Sequence, residues 1–525
     1  MDSYLIQAFR NTLGSEQGNA HSTVHSQTIF LSSAYDAIVF AKTPIGIAPH
    51  ISEVAVMTVT YGSVAGQLLT LHGLFILLGL SIYVISSHTL HLRRHPSAAI
   101  AWVVALVLLP YATLPIYLVF GIRKVKSYQP PVKRDELRPL TSHSDALAAR
   151  TQQLAATMAL PAASTYHQLN IHEDGTQALQ SLRRMIDGAA CTIDLSTFIF
   201  ARDGLGNEIA QSLKRRAREG IQVKLLVDGV GAYLGGHTDF KSLVAAGVQV
   251  ALFVPPLRSS LRGRTNLRNH RKMVITDSEW LWCGGRNFAT EYFEGEATYP
   301  PWIDLGFDLH GTLALQAQQQ FEKDWAFATG GAPDEPRLLV DKDSPPNSAL
   351  GQLIASGPDQ PDDTFYTLLI SSFFVSCRRI MMVTPYFVPN STLLMSLTLA
   401  ARRGVTVDLL MPEKSNHCLA DLARHRALRE LTTAGVRVWF LPHMIHAKAV
   451  VVDDELAFVG TANLDERSLF LNYELMVSFY EPTDVKRFAE WIERKQGSAA
   501  PYQPRPLTFW REIREGMLLW LTFQL

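Results

Sequence analysis

The sequence predicts an α/β protein made of two copies of one domain and preceded by two transmembrane helices. Three observations carry that reading. A pattern, His-x-Lys-x4-Asp, occurs twice: His270, Lys272 and Asp277 in NHRKMVITD, and His446, Lys448 and Asp453 in IHAKAVVVD. The helix and strand patterns around the two copies recur in the same order. Ahead of both lie two long apolar runs without a charged residue.

The runs are Val64 to Ser86 and Ala98 to Gly121. A helix of about 20 residues crosses the hydrocarbon core, so each is long enough to span. Pro110 and Pro115 are costly in a soluble helix but tolerated in a membrane one. The loop between the runs carries Arg93 and Arg94, whereas Arg123, Lys124, Lys126, Lys133, Arg134 and Arg138 follow the second. That excess places the large C-terminal part on the cytoplasmic side. Residues 1–63 read as a disordered extension, with no basic segment leading to a cleavage site and Met57 as an alternative start.

The runs also explain a composition of 47% hydrophobic and 18% charged residues. Formal net charge is zero, which speaks against a nucleic-acid partner. The four cysteines form no CxxC pair and read as thiols in a reducing compartment.

Residues 122–164 read as a linker with one short helix, Ser144 to Met158. The first repeat is expected over 165–345 and the second over 346–500. In the first, CTIDLSTFIF is a strand, NEIAQSLKRRAREG a helix stopped by Gly220, and IQVKLLVDG a strand. In the second, RRIMMVTPYFVP, LLMSLTLAARRG and VTVDLLMP follow the same order. A further helix–Gly–strand unit then leads into each histidine motif, and the arginine-rich PPLRSSLRGRTNLRNH of the first copy reads as a loop near the site. The duplicated unit is about 180 residues long, a whole domain rather than a solenoid repeat. Residues 501–525 form an amphipathic segment with Trp510, Leu518, Leu519, Trp520 and Phe523, suited to a membrane interface.

The motif reads as a strand, in which alternate side chains share a face. His270 then projects with Lys272, and His446 with Lys448. Gly284 and Gly460 each stand 14 residues beyond their histidine, and Asn287 and Asn463 each 17. Two imidazoles, two ammonium groups and two amides converging on one point make a pocket for an anion such as a phosphodiester. One histidine can attack phosphorus while the other protonates the leaving alkoxide. No carboxylate cluster of the kind magnesium needs is evident, so no metal or other cofactor is expected. An imidazole nucleophile must be held in one tautomer. Glu474 is the expected partner of His446, and Asp304 that of His270. Asp277 and Asp453 join the expected catalytic set, with a structural role in the turn left open.

These motifs, with the GGRN and GTANLDERSLFLNYE continuations, TPYFVP and SGPD, resemble the phospholipase D superfamily. Within it, the pattern is similar to bacterial cardiolipin synthases with an N-terminal membrane hairpin. The resemblance implies duplicated sandwich domains related by a pseudo-twofold axis, with one site between them. It implies transfer of a phosphatidyl group from one phosphatidylglycerol to another, releasing glycerol, at the bacterial inner membrane. It makes His270 the nucleophile and His446 the acid/base, although the residues themselves do not rank the two. Hydrolysis, with water as acceptor, uses the same residues; a membrane-tethered nuclease fits less well.

Overall fold

The computed structural model describes residues 70–87, 96–121, 124, 146–236, 238–255, 265–295, 299–333, 345, 348–360, 362–504 and 515. The N-terminal extension, most of the linker, the arginine-rich stretch 256–264 and nearly all of the C-terminal segment lie outside these residues.

Thr70–Ser87 is, among the described residues, the one helix long and apolar enough to cross a membrane. The second run is not the single span expected over 98–121. It forms two helices, Pro96–Leu108 and Pro110–Phe120, that break at Leu109. Proline lacks the N–H that would continue the ladder and steers the preceding residue away from helical ψ. Leu109 accordingly has ψ 57°. The Thr113 hydroxyl donates to the Ala105 carbonyl across the break. The two runs nevertheless pack together, with Tyr117 against Tyr83 and Trp102 at ring separations of 5.6 and 5.1 Å. Leu74, Leu77, Leu108 and Leu109 point outward.

The strands of the remaining chain are β1 (Ser164–His172), β2 (Thr192–Thr197), β3 (Gln222–Asp228), β4 (Gln249–Phe253), β5 (Arg268–Asn269), β6 (Met273–Thr276), β7 (Trp280–Gly284), β8 (Gly306–His310), β9 (Ala349–Ser356), β10 (Arg379–Val383), β11 (Phe387–Val388), β12 (Thr406–Pro412), β13 (Arg437–Leu441), β14 (Ala449–Val452), β15 (Leu456–Gly460), β16 (Leu464–Asp465), β17 (Asn472–Phe479) and β18 (Ala500–Pro501). In each copy three parallel strands, β2-β3-β4 and β10-β12-β13, are flanked by the antiparallel motif hairpins β6–β7 and β14–β15. Their crossover helices, Gly204–Arg218 and Ser391–Arg402, are followed at matching places by Gly220 and Gly404, both left-handed with φ near +90°.

The copies do not form separate sheets. β1 pairs with β8 on one side and β9 on the other, and β9 continues to β17, so one 16-stranded sheet runs through both. The pleat divides its apolar residues by alternation. Val274, Val450 and Val452 face outer cores, one per copy, whereas Met273, Ile275, Ala449 and Val451 face a core that both copies share. The helices Thr312–Thr329 and Pro482–Gln496 contribute Leu313, Phe321, Phe488 and Trp491 to that shared core. Strands covered on both faces read as nearly continuous apolar runs, as MVIT and AVVV do.

Candidate active site

Each motif ends in a hairpin. Asp277 and Ser278, and Asp453 and Asp454, all have positive φ between 53 and 61°. Two successive left-handed residues define a type I′ turn, where aspartate is among the favoured residues. Asp277 accepts hydrogen bonds from the backbone N–H groups of Ala190, Cys191 and Thr192 at 2.7–2.8 Å. Asp453 does the same for Cys377, Arg378 and Arg379 at 2.6–2.8 Å. Both carboxylates pin the start of a parallel strand, seven residues and roughly 20 Å of extended chain from their histidine. The expectation that they belong to the catalytic set does not fit this placement, because their oxygens are taken by backbone donors at the other edge of the sheet.

At the near edge the motifs leave their own ladders. His270, Arg271 and Lys272 precede β6 rather than lying in it, because β5 pairs with β17 of the other copy and the His270 N–H donates to the Tyr473 carbonyl at 2.9 Å. In the second copy Ile445 bridges to Ile303, and the His446 N–H donates to the Ile303 carbonyl at 2.6 Å. Each histidine segment is thus stitched to the residue just before the other copy's acid. His270 Nδ1 lies 3.0 and 3.1 Å from the Glu474 oxygens, and His446 Nδ1 lies 2.8 Å from Asp304 Oδ2. The pairing expected from chain order is therefore reversed: Glu474 holds His270 and Asp304 holds His446. The cause is the cross-strand pairing, which no local pattern records.

Both acids are themselves held. Thr461 Oγ1 donates to Glu474 at 2.5 Å and Asn472 Nδ2 at 3.2 Å. In the first copy Gly285 clears the space instead, since a Cβ there would stand 2.4 Å from Asp304 Oδ1. Gly460 is required by close approach, as its Cβ would meet the Leu475 carbonyl at 2.1 Å.

The lysines share the pocket. Lys272 Nζ donates to the His270 carbonyl at 2.8 Å. Lys448 Nζ lies over the His446 ring edge, 2.7 Å from Nδ1 and 2.9 Å from Nε2, and also bonds the His446 carbonyl. Burial removes solvation from every charge here. It lowers His270 to about 4 despite Glu474, and lowers His446 to about 3, with Lys448 acting in the same direction. Lys448 falls to about 7 and Lys272 falls well below its ordinary value, again chiefly through burial. Asp304 goes the other way: burial pushes it up, but His446, Lys448 and Arg286 outweigh that and hold it at about 2. Glu474 is lowered too, because His270 and Lys272 outweigh its burial. The imidazoles are thus neutral at pH 7, and Nδ1–H on a carboxylate leaves a lone pair on Nε2.

Asn287 and Asn463, expected to face substrate, are buried in their own loops. Asn287 Oδ1 accepts from the Ile199 N–H and its Nδ2 donates to the Tyr292 hydroxyl at 2.8 Å. Asn463 Nδ2 donates to Ser468 at 3.2 Å. Residues that the sequence reading missed complete the walls. Tyr292 and Trp302 pack on His446 at 5.1 and 5.5 Å, and Phe198 on His270 at 5.3 Å. Buried Arg271 pairs with Asp324 and donates to the Glu474 carbonyl, and Arg286 donates to the Asp304 carbonyl at 2.6 Å. Arg271 and Arg286 lie inside the quoted motifs, but their partners are remote in sequence. A cleft of about 900 Å³ opens at the other edge of the sheet, lined by Arg378, Arg379, Asp408, Arg437, Asp454 and Glu493 among others. Arg379 and Arg437 are already paired there with carboxylates, and none of the motif histidines or lysines lines it.

Comparison with known proteins shows the family to which the chain belongs. The family described as cardiolipin synthase, PLD-like domain, matches residues 182–325 and 370–496. The phospholipase D-nuclease N-terminal family matches residues 76–121. Cardiolipin synthase A of Pseudomonas putida (strain W619) is 33% identical over 80% of this chain and 89% of its own length. That of Pseudomonas aeruginosa (strain LESB58) is 32% identical over 77% and 85%. Phosphatidylserine synthase of Haemophilus influenzae has the same fold, with a TM-score of 0.53, 14% identity, and coverage of 71% of this chain and 96% of that one. With two motif copies meeting in one pocket and relatives matched along most of their length, the chain belongs to the cardiolipin synthase family of phospholipase D-type enzymes.

Proposed function

We propose that the protein is a cardiolipin synthase that transfers a phosphatidyl group between two phosphatidylglycerol molecules by way of a phosphohistidine. The observation that carries this reading is the crossed arrangement: two neutral imidazoles, each with Nδ1 on a carboxylate of the other copy, and a lysine beside each. His270 Nε2 attacks phosphorus, and the bond from phosphorus to the glycerol headgroup oxygen breaks. The leaving oxygen takes a proton that Lys448, 2.9 Å away, passes through His446 Nε2, and Lys448 is left neutral. The hydroxyl of the second phosphatidylglycerol then attacks, and its proton passes through His446 Nε2 back to Lys448 as the phosphorus–nitrogen bond breaks. Lys272, and Lys448 while it holds its proton, balance charge on the nonbridging oxygens. One phosphodiester replaces another, so no nucleotide is needed.

His270 as the nucleophile is supported by its greater side-chain exposure, 13% against 4% for His446, and by Lys448 lying on the His446 ring nitrogens while Lys272 bonds the His270 carbonyl. The relatives' names support a lipid alcohol rather than water as acceptor. We further place the two apolar runs as a hairpin in the inner membrane, with the body on the cytoplasmic side.

Vesicles containing headgroup-labelled phosphatidylglycerol test the reaction. Cardiolipin and free glycerol should appear in equal amounts, and phosphatidic acid without cardiolipin would make the enzyme a hydrolase. With phosphatidylglycerol labelled at phosphorus instead, label trapped on His446 rather than His270 would reverse the two roles.

A further inference from the structure

The pocket lies at one edge of the sheet, where the parallel strands β2, β3, β10 and β12 end, and two features meet at that edge. Lys124 stands four residues beyond Phe120, the end of the apolar helix. Its Nζ donates to Asp363 Oδ1 at 2.6 Å and to the carbonyls of Gln360 and Gly357 at 3.0 and 3.5 Å. That loop directly follows Ser356, which is paired with Glu474 across the ladder. Four residues span at most about 14 Å, so the catalytic edge is tethered to the end of the apolar segment within that span plus the reach of the Lys124 side chain.

The second feature is a rim of exposed apolar side chains around the same edge. Tyr233 and Leu234 lie on the short helix Gly229–Leu234, which starts at Asp228, and Asp228 binds the Asn269 N–H next to His270. Tyr299 precedes Trp302, which packs on His446. Leu419 and Leu422 lie in the first turns of Cys418–Thr433, after β12. Their exposures run from 36% to 69%. Apolar residues also stand exposed elsewhere, at Val244, Leu350 and Phe374, so the rim alone decides nothing. The Lys124 tether assigns its partner.

We infer that the catalytic edge of the body rests on the bilayer, with this rim immersed at the interface, so that the pocket opens toward lipid rather than toward water. The inference deepens the lipid-transfer reading and rests on it for the purpose of the rim. Its geometry is tested without turnover.

The chain supplies its own probes. Cys418 is exposed at the catalytic edge, and Cys191 and Cys377 are exposed at the opposite edge, about 20 Å away along the strands. In the full chain, two of the three are replaced by serine and the third carries an environment-sensitive fluorophore. The protein is reconstituted in phosphatidylglycerol vesicles with nitroxide-labelled lipid. The label on Cys418 should shift to the blue and lose most of its emission, while labels on Cys191 and Cys377 keep theirs. An unquenched Cys418 label, or equal quenching of all three, would overturn the inference. Quenching confined to Cys418 in a protein that makes no cardiolipin would leave the orientation standing and sink the reaction instead. A Leu419→Asp, Leu422→Asp double variant should lose several-fold in rate on vesicle lipid and little on monomeric short-chain phosphatidylglycerol; equal loss on both would also count against the rim.

Discussion

At the scale of residues, the crossed pairs separate two acids that look alike in sequence. Glu474 orients the proposed nucleophile and Asp304 the proposed acid, so their amide variants should fail differently. Glu474→Gln should lower kcat by roughly 10²–10⁴-fold and reduce the burst of phosphohistidine on His270. Asp304→Asn should lower kcat by a similar order, and in rapid-quench experiments it should slow leaving-group departure and discharge of the intermediate. Identical intermediate kinetics in the two variants would contradict this division. The histidines and lysines were legible in sequence because the pattern repeats in register, and the acids because each follows its motif in a segment that reads as a strand. Which acid serves which histidine was not, because residues 303 and 473 reach their partners through ladders formed between the copies.

At the scale of elements, the motif hairpins explain why the aspartates stand where they do. Each accepts three backbone N–H groups at the start of a parallel strand. Asp277→Ala and Asp453→Ala should each cost about 1–3 kcal/mol. Thermal melts would read this as a lower Tm, while the folded fraction keeps kcat within a few-fold. Loss of turnover at unchanged Tm would return these residues to the chemistry. The helices and strands themselves were readable from periodicity and from stops such as Gly220 and Gly404. The break at Leu109 was less so, since the composition of the second run is that of a single span and only the backbone of Pro110 interrupts it.

At the scale of the whole molecule, the pocket stores unfavourable charge when it holds no anion. His270 and His446 are lowered to about 4 and about 3, so below pH 6.5 the unfolded chain binds their protons more readily than the folded one. Their contribution to stability is therefore present above pH 6.5 and is lost as pH falls toward 4 and 3. Tm should drop over that window, and the His270→Asn, His446→Asn variant should drop less. Lys448, at about 7, acts on the alkaline side: between pH 7 and 10.5 the unfolded chain again holds the extra proton, so its contribution rises with pH. An anionic headgroup should raise Lys448 and be bound with proton uptake near pH 8. Calorimetry of a soluble phosphodiester in two buffers of different ionisation enthalpy measures this, and identical heats would refute it. Saturating anion should also raise Tm, by the equivalent of about 2.7 kcal/mol at a hundredfold excess over Kd.

The sequence by itself determined the duplication, the α/β order of each copy, the apolar runs and the identity of the reactive groups. These follow from local periodicity and from a spacing that recurs in register. Only the tertiary structure decided that the copies share one sheet and one core, that each histidine is served by the other copy's acid, and that the motif aspartates belong to the opposite edge. Those facts arise where β1 meets β9 and where β5 meets β17, between residues far apart in the chain. Hydrogen-bond ladders between such segments are set by which edges remain open once each copy has folded, and no window of sequence contains both sides.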